Sequence, residues 1–199
     1  MKWQISEDKF LNGDEVRRLV KYCKDAAELA RMKKNWLPIR DWMIIDLALG
    51  TGLRVQEISD LKVNDLHIDY DQSSLTVQNG KGGKKRNVRF GSKLKAHLKK
   101  YLKLQLNTGP YLFSSSRGEK LSRTALLLIA KNCYKQSGLP SHYHFHSLRH
   151  TYATRLYKSS NHNLRLVQKQ LGHSSVATTQ VYADVLDEDV TIALEKLEE

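Results

Sequence analysis

The sequence predicts a mainly helical α+β domain with a small antiparallel three-stranded sheet on one side. Three observations carry that prediction. Most of the chain spaces its apolar residues three and four apart, the period of a helix with one buried face. The central stretch 63–90 instead holds short apolar runs around a glycine-rich turn, the pattern of a hairpin. And 199 residues, 40% of them hydrophobic, suffice for one compact domain with a good core and hardly for two.

Taken in order, Asn12-Gly13-Asp14-Glu15 reads as a capped helix start, with Val16, Leu19, Val20, Cys23 and Ala27 at helical spacing and Lys33-Lys34-Asn35 as its end. Pro38 suits the first turn of a second, largely buried helix through Trp42, Ile45, Leu47 and Leu49, which Gly50-Thr51-Gly52 stops. Val63 to Ile68, Leu75 to Gln78 and Asn87 to Phe90 read as strands, the last two joined by the loop Asn79 to Arg86. Ser92 is the expected cap of a helix with Leu94, Leu98, Tyr101 and Leu102 on one face, and Ser122 that of a helix running to Tyr134. A helix opening at His146 turns Leu148, Tyr152 and Leu156 inward. Asn163 caps the next, which Gly172 ends. Ser174 caps a short helix holding Tyr182, and an amphipathic helix closes the chain.

The formal charge is +12 and the pI about 9.7. Of the 33 bases and 21 acids, one base and seven acids lie beyond residue 183, which leaves 32 against 14 in the body. A basic body suits a polyanion such as DNA, though a basic soluble protein of another kind has the same balance. No apolar run approaches a membrane span and the first residues carry no signal-peptide block, so no membrane association is expected. Cys23 and Cys133 match no metal spacing and read as free thiols of a reducing compartment, hence a cytoplasmic location on the nucleoid.

Two clusters suggest chemistry. His146 and Arg149 are three residues apart, on one face near a helix N-terminus, where imidazole, guanidinium and backbone N–H groups together suit a phosphate. His173 lies nine residues before Tyr182, so a short helix can bring both to the same cleft. Arg54 follows the Gly-Thr-Gly turn at the edge of a core. It suits either a salt bridge with Glu57 or a two-pronged grip on phosphate. Lys81 sits in Gly80-Lys81-Gly82-Gly83-Lys84, a solvated basic turn or a mobile tip that enters a cleft. In an extended segment His142, His144 and His146 would share a face and, with His150, offer a transition-metal site. No cysteine or carboxylate accompanies them, and no metal is expected.

These stretches resemble the active-site boxes of the tyrosine recombinases, the phage-integrase family: His146-Ser147-Leu148-Arg149-His150, Leu171-Gly172-His173, Tyr182, the arginine box Gly50 to Ile58, and the hairpin lysine, Lys81. The boxes stand in the family's order from Gly50 to Tyr182. The resemblance implies the helical catalytic fold of that family over residues 1–183. Arg54, Lys81, His146, Arg149, His173 and Tyr182 would be catalytic, with Glu57 and His150 supporting them from behind.

The resemblance further implies that DNA is cleaved and rejoined through a 3′-phosphotyrosyl link. The arginines and histidines would stabilise the pentacoordinate phosphorus, Tyr182 would attack, and Lys81 would protonate the leaving 5′ oxygen. Neither metal nor ATP is required, and no cofactor is expected. Double-stranded DNA is the implied partner, with self-association into a tetramer on paired sites. Lys84, Lys85, Arg86, Arg89 and Arg123 are expected on the DNA backbone.

Members of the family carry an N-terminal DNA-clamping domain of roughly a hundred residues. The sequence starts almost at the catalytic domain, so that core-binding domain is expected to be absent, whether the chain is a short member or a fragment. The acidic segment 184–199 suits docking on a neighbouring protomer and plain intramolecular packing equally. A type IB topoisomerase, or a DNA-binding regulator without catalysis, are the alternatives to a recombinase.

Overall fold

The structure is a computed structural model that describes residues 7–69, 72–80, 83–104, 109–115 and 118–172. Helices α1 (Gly13–Met32), α2 (Leu37–Thr51) and α3 (Val55–Asp60) come first. Strands β1 (Leu66–His67), β2 (Ser74–Val77) and β3 (Arg86–Arg89) follow, then α4 (Ser92–Leu102), α5 (Arg123–Gln136), α6 (Phe145–Ser159) and α7 (Leu164–Leu171). The expected mainly helical α+β class is what folds. Among the described residues no helix is long and apolar enough to cross a membrane.

Helix α2 is the central element. Met43, Ile44, Ile45 and Leu47 have no exposed surface, so the helix is apolar around most of its circumference, with Arg40, Asp41 and Asp46 paired at its edges. It packs against α1, α4, α5 and α6. Each such side chain contributes about 1.5–3 kcal/mol by leaving water. Gly52 ends α2 in the left-handed conformation, φ 62°, and its N–H donates to Ala48 O. That turn aims the next two residues, Leu53 inward and Arg54 outward.

Helix α1 starts as expected. Asn12 accepts from the Glu15 N–H while the Glu15 carboxylate accepts from the Asn12 N–H, satisfying two donors that a helix start leaves orphaned. The sheet runs β1-β2-β3, antiparallel throughout, with Leu66 opposite Leu75 and Leu75 opposite Val88. Leu75 and Val88 are fully buried on the face toward the helices. Chain entry into α1 is pinned to the body of α6: the Leu11 N–H donates to Thr151 Oγ1, and Thr151 donates to Ser147 O. A smaller cluster of Tyr152, Ala153, Tyr157, Val167 and Leu171 joins α6 to α7.

Several elements depart from the sequence reading; β2 and β3 each begin one residue earlier than expected, at Ser74 and Arg86. The strand expected over Val63 to Ile68 shrinks to Leu66–His67. The Asp65 carboxylate accepts the Lys62 N–H and winds Val63–Asp65 into a 3-10 turn. Helix α4 starts without a side-chain cap, so Ser92 is its first residue and not its cap. Helix α6 starts at Phe145, one residue early, because His144 takes the extended cap conformation and its N–H donates to Ser147 Oγ.

Candidate active site

The site forms where the C-terminal ends of α2 and α7 meet the first turns of α3 and α6. Arg149, on α6, is 2% exposed. Its Nη1 donates to Gly52 O at 2.6 Å and its Nη2 to Leu171 O at 3.0 Å. Both carbonyls lie at helix C-terminal ends, where the backbone presents acceptors and partial negative charge to a cation. A guanidinium carries five N–H donors in a planar fork, and these bonds help fix its orientation. The turn tolerates no side chain at Gly52: a Cβ there would strike the Tyr152 ring and lie 3.0 Å from Leu171 Cδ2.

Arg54 precedes α3, its side chain 29% exposed. The ion pair with Glu57 that the sequence offered as one alternative is present: Arg54 Nη1 donates to Glu57 Oε1 at 3.0 Å and the Arg54 N–H to Oε2 at 2.8 Å. Glu57 is buried and accepts two more bonds. Arg86, the first residue of β3, donates from Nη1 to Oε1 at 2.8 Å and from Nη2 to Oε2 at 2.9 Å. Burial alone would push the Glu57 carboxyl up. The Arg86 hydrogen bonds and charge, then those of Arg54, outweigh it and hold the pKa below the ordinary glutamate range.

His146 stands in the first turn of α6, exposed on its outer side. Its ring meets that of buried His150 edge-on, centroids 4.4 Å apart. The pKa of His146 is lowered, first by the loss of water on its inner side and then by the charges of Arg149 and of Arg54. Arg149, three residues on from His146 in α6, reaches Gly52 O beside Arg54, so the two arginines remote in sequence meet at this end of the helix. Tyr152 lies against the Gly52 turn. Burial, only partly offset by Arg149, pushes its phenol up to about 12 and keeps it protonated.

Lys81, His173 and Tyr182 lie outside the described residues, as does the acidic segment 184–199. Of the side chains expected on DNA, Lys84, Lys85, Arg89 and Arg123 are exposed. Arg123 opens α5 and shares a cleft of about 360 Å³ with Leu53, Val55, His144 and His146, so it borders the site. Arg86 corrects the sequence reading: both its Nη atoms are on Glu57 and its side chain is 13% exposed, so it faces inward and not toward a polyanion. The extended run that would align His142, His144 and His146 ends at His144, because α6 begins at the next residue. The Glu57–Arg86 clamp escaped sequence reasoning. Its signal was the two-residue period of β3, which puts Arg86 on the face of buried Val88.

Comparison with known proteins identifies the family and the fold. The profile of the phage integrase family matches residues 9–189. Tyrosine recombinase XerA of Pyrococcus furiosus is 36% identical over 191 residues, which cover 94% of this chain and 61% of the relative. Tyrosine recombinase XerC of Vibrio vulnificus is 34% identical over 192 residues, covering 90% of this chain and 57% of the relative. Among solved structures, XerA recombinase superposes with a TM-score of 0.77 at 26% identity, over 99% of this chain and 67% of the other. The XerH site-specific recombinase in a post-cleavage complex with its difH substrate gives a TM-score of 0.77 at 26% identity, over 96% and 53%. A mostly helical domain with a small three-stranded antiparallel sheet is the catalytic fold of the tyrosine recombinases. The chain belongs to the phage integrase family. It spans about three-fifths of the length of these curated relatives.

Proposed function

We propose that this chain cleaves and rejoins double-stranded DNA as a site-specific recombinase, through a 3′-phosphotyrosyl intermediate. The observation that carries the reading is that Arg149, one turn on from His146 in α6, donates to Gly52 O, two residues from Arg54, with Arg54 itself held by Glu57. A phosphodiester resists attack because it is anionic. Two guanidinium groups placed in advance neutralise it and stabilise the further charge of the pentacoordinate transition state. His146, kept neutral near pH 7 by its lowered pKa, can donate to a phosphoryl oxygen or accept a proton.

Tyr182 is the nucleophile in this reading. Its unperturbed pKa is about 10, so the cationic neighbourhood and a base, His146 or His173, assist its deprotonation. The phenolate oxygen bonds to phosphorus, the P–O5′ bond breaks, and Lys81 delivers a proton to the departing 5′ oxygen. Attack of a second 5′-hydroxyl on the phosphotyrosine reverses these steps and reseals DNA. The ester conserves the bond energy, so neither ATP nor another cofactor is required. Lys84, Lys85, Arg89 and Arg123 hold the DNA backbone, and protomers pair as a tetramer on two sites. The protein works on the nucleoid.

The test uses duplexes with a randomised core, nicked so that the leaving strand diffuses away. Wild type is expected to yield covalent adducts that survive detergent, and Tyr182→Phe none. Exchange between two copies of a captured site marks a recombinase. Supercoil relaxation without exchange would mark a topoisomerase instead, and absence of any adduct would reject both.

A further inference from the structure

We infer that Arg86 is a positioning residue of this site, clamping Glu57 so that the charge of Arg54 remains available to the scissile phosphate. Its catalytic consequence rests on the recombinase reading above; its grip on Glu57 and, through it, on Arg54 rests on geometry alone.

Three parts of the site meet at this one side chain. Its two Nη atoms grip both oxygens of Glu57, the carboxylate that also holds the backbone and guanidinium of Arg54. Its aliphatic end lies on Gly172, the residue before His173: a Cβ there would fall 2.5 Å from Arg86 Cδ and 2.7 Å from Nε. Its Nη1 also underlies the root of the hairpin loop that carries Lys81. A Cβ on Gly80 would lie 3.3 Å from it, and the Gly80 N–H closes the loop on Lys84 O at 3.1 Å. The arginine turn, the hairpin and the end of α7 are thereby referred to one planar, rigid group.

Charge counting gives the clamp its purpose. A lone Glu57–Arg54 pair would be neutral, and the carboxylate would compete with DNA phosphate for the same guanidinium. With Arg86 the trio carries one net positive charge. The carboxylate is saturated by a partner too buried to reach DNA, and Arg54, the more exposed of the two arginines, faces outward. A lysine supplies the charge but not the two-pronged grip.

The experiment compares Arg86→Gln and Arg86→Lys with wild type in the 199-residue chain. In the free protein the His146 imidazole is titrated by NMR. Arg86→Gln leaves Glu57 less compensated, so its midpoint is expected to rise by about 0.3 pH or more. With a duplex captured by wild type, adduct formation at saturating DNA is expected to slow by about tenfold or more, because misplacing a transition-state donor is costly. The dissociation constant should stay within about twofold, since Arg86 makes no backbone contact, and Arg86→Lys should recover only part of the rate.

An unmoved His146 midpoint overturns the inference. So does weaker binding with a salt slope shallower by about one and a normal rate at saturation, the signature of a phosphate contact. Should Arg86→Gln unfold at assay temperature, Arg86→Lys decides: a wild-type rate would overturn the two-pronged clamp. If wild type forms no adduct, the recombinase reading falls while the His146 titration still judges Arg86.

Discussion

Replacing Glu57 by glutamine tests the energetics of the arginine cluster. The side chain is 4% exposed and accepts four hydrogen bonds, two from Arg54 and two from Arg86. Glutamine preserves shape but removes the charge and turns one acceptor into a donor that faces donors. Breaking one partner of a buried ion pair costs about 3–5 kcal/mol. Arg86 is nearly enclosed, whereas Arg54 is 29% exposed and regains water, so the lower end, about 3 kcal/mol, is expected near pH 7. Urea unfolding at equilibrium measures it. The pH dependence fixes the sign. The folded-state pKa of Glu57 is depressed, so its contribution is complete above the ordinary value of 4.5 and is lost as pH falls through the folded value. The gap between wild type and Glu57→Gln should be flat around neutrality and close in acid. A loss under about 1 kcal/mol at pH 7, or a gap that persists in acid, would refute the reasoning.

Other outcomes follow from the same geometry. Gly52→Ala should cost about 2–4 kcal/mol, from a left-handed φ and a methyl driven into the Tyr152 ring, read by urea unfolding. His146 should titrate below an ordinary histidine, and Arg54→Gln should raise its NMR midpoint. Because the folded value is the lower one, its share of stability is present above about 6.5 and lost as pH falls toward the folded value. Lys84→Ala with Lys85→Ala should make DNA binding less salt-dependent, lowering the log–log slope by about 2 with little change in the adduct rate at saturation.

Much of this was legible in the sequence because the signals were local. The Asn12 and Glu15 pair, Pro38, the Gly52 and Gly172 stops and the Asn163 cap each act within one turn, and each forms as read. Local competition hid other details. The Asp65 side chain captures a backbone N–H and curtails β1, and His144 takes the cap two residues before His146. The convergence of Arg54 and Arg149 could be read only through family resemblance, since a bond from Arg149 to Gly52 O joins distant parts of the chain. Least legible was Arg86. In a loop of lysines it reads as one more DNA contact, and only strand alternation sets it apart, while its partner Glu57 sits on another element.

The most direct measurement is chemical. Wild-type protein is trapped on a captured nicked duplex, digested to peptides and nucleotides, and analysed by mass spectrometry. The account predicts a nucleotide 3′-phosphate esterified to the peptide containing Tyr182, with a free 5′-hydroxyl on the released strand. A phosphate on serine, histidine or another tyrosine, or a 5′-phosphate on the released strand, would contradict it.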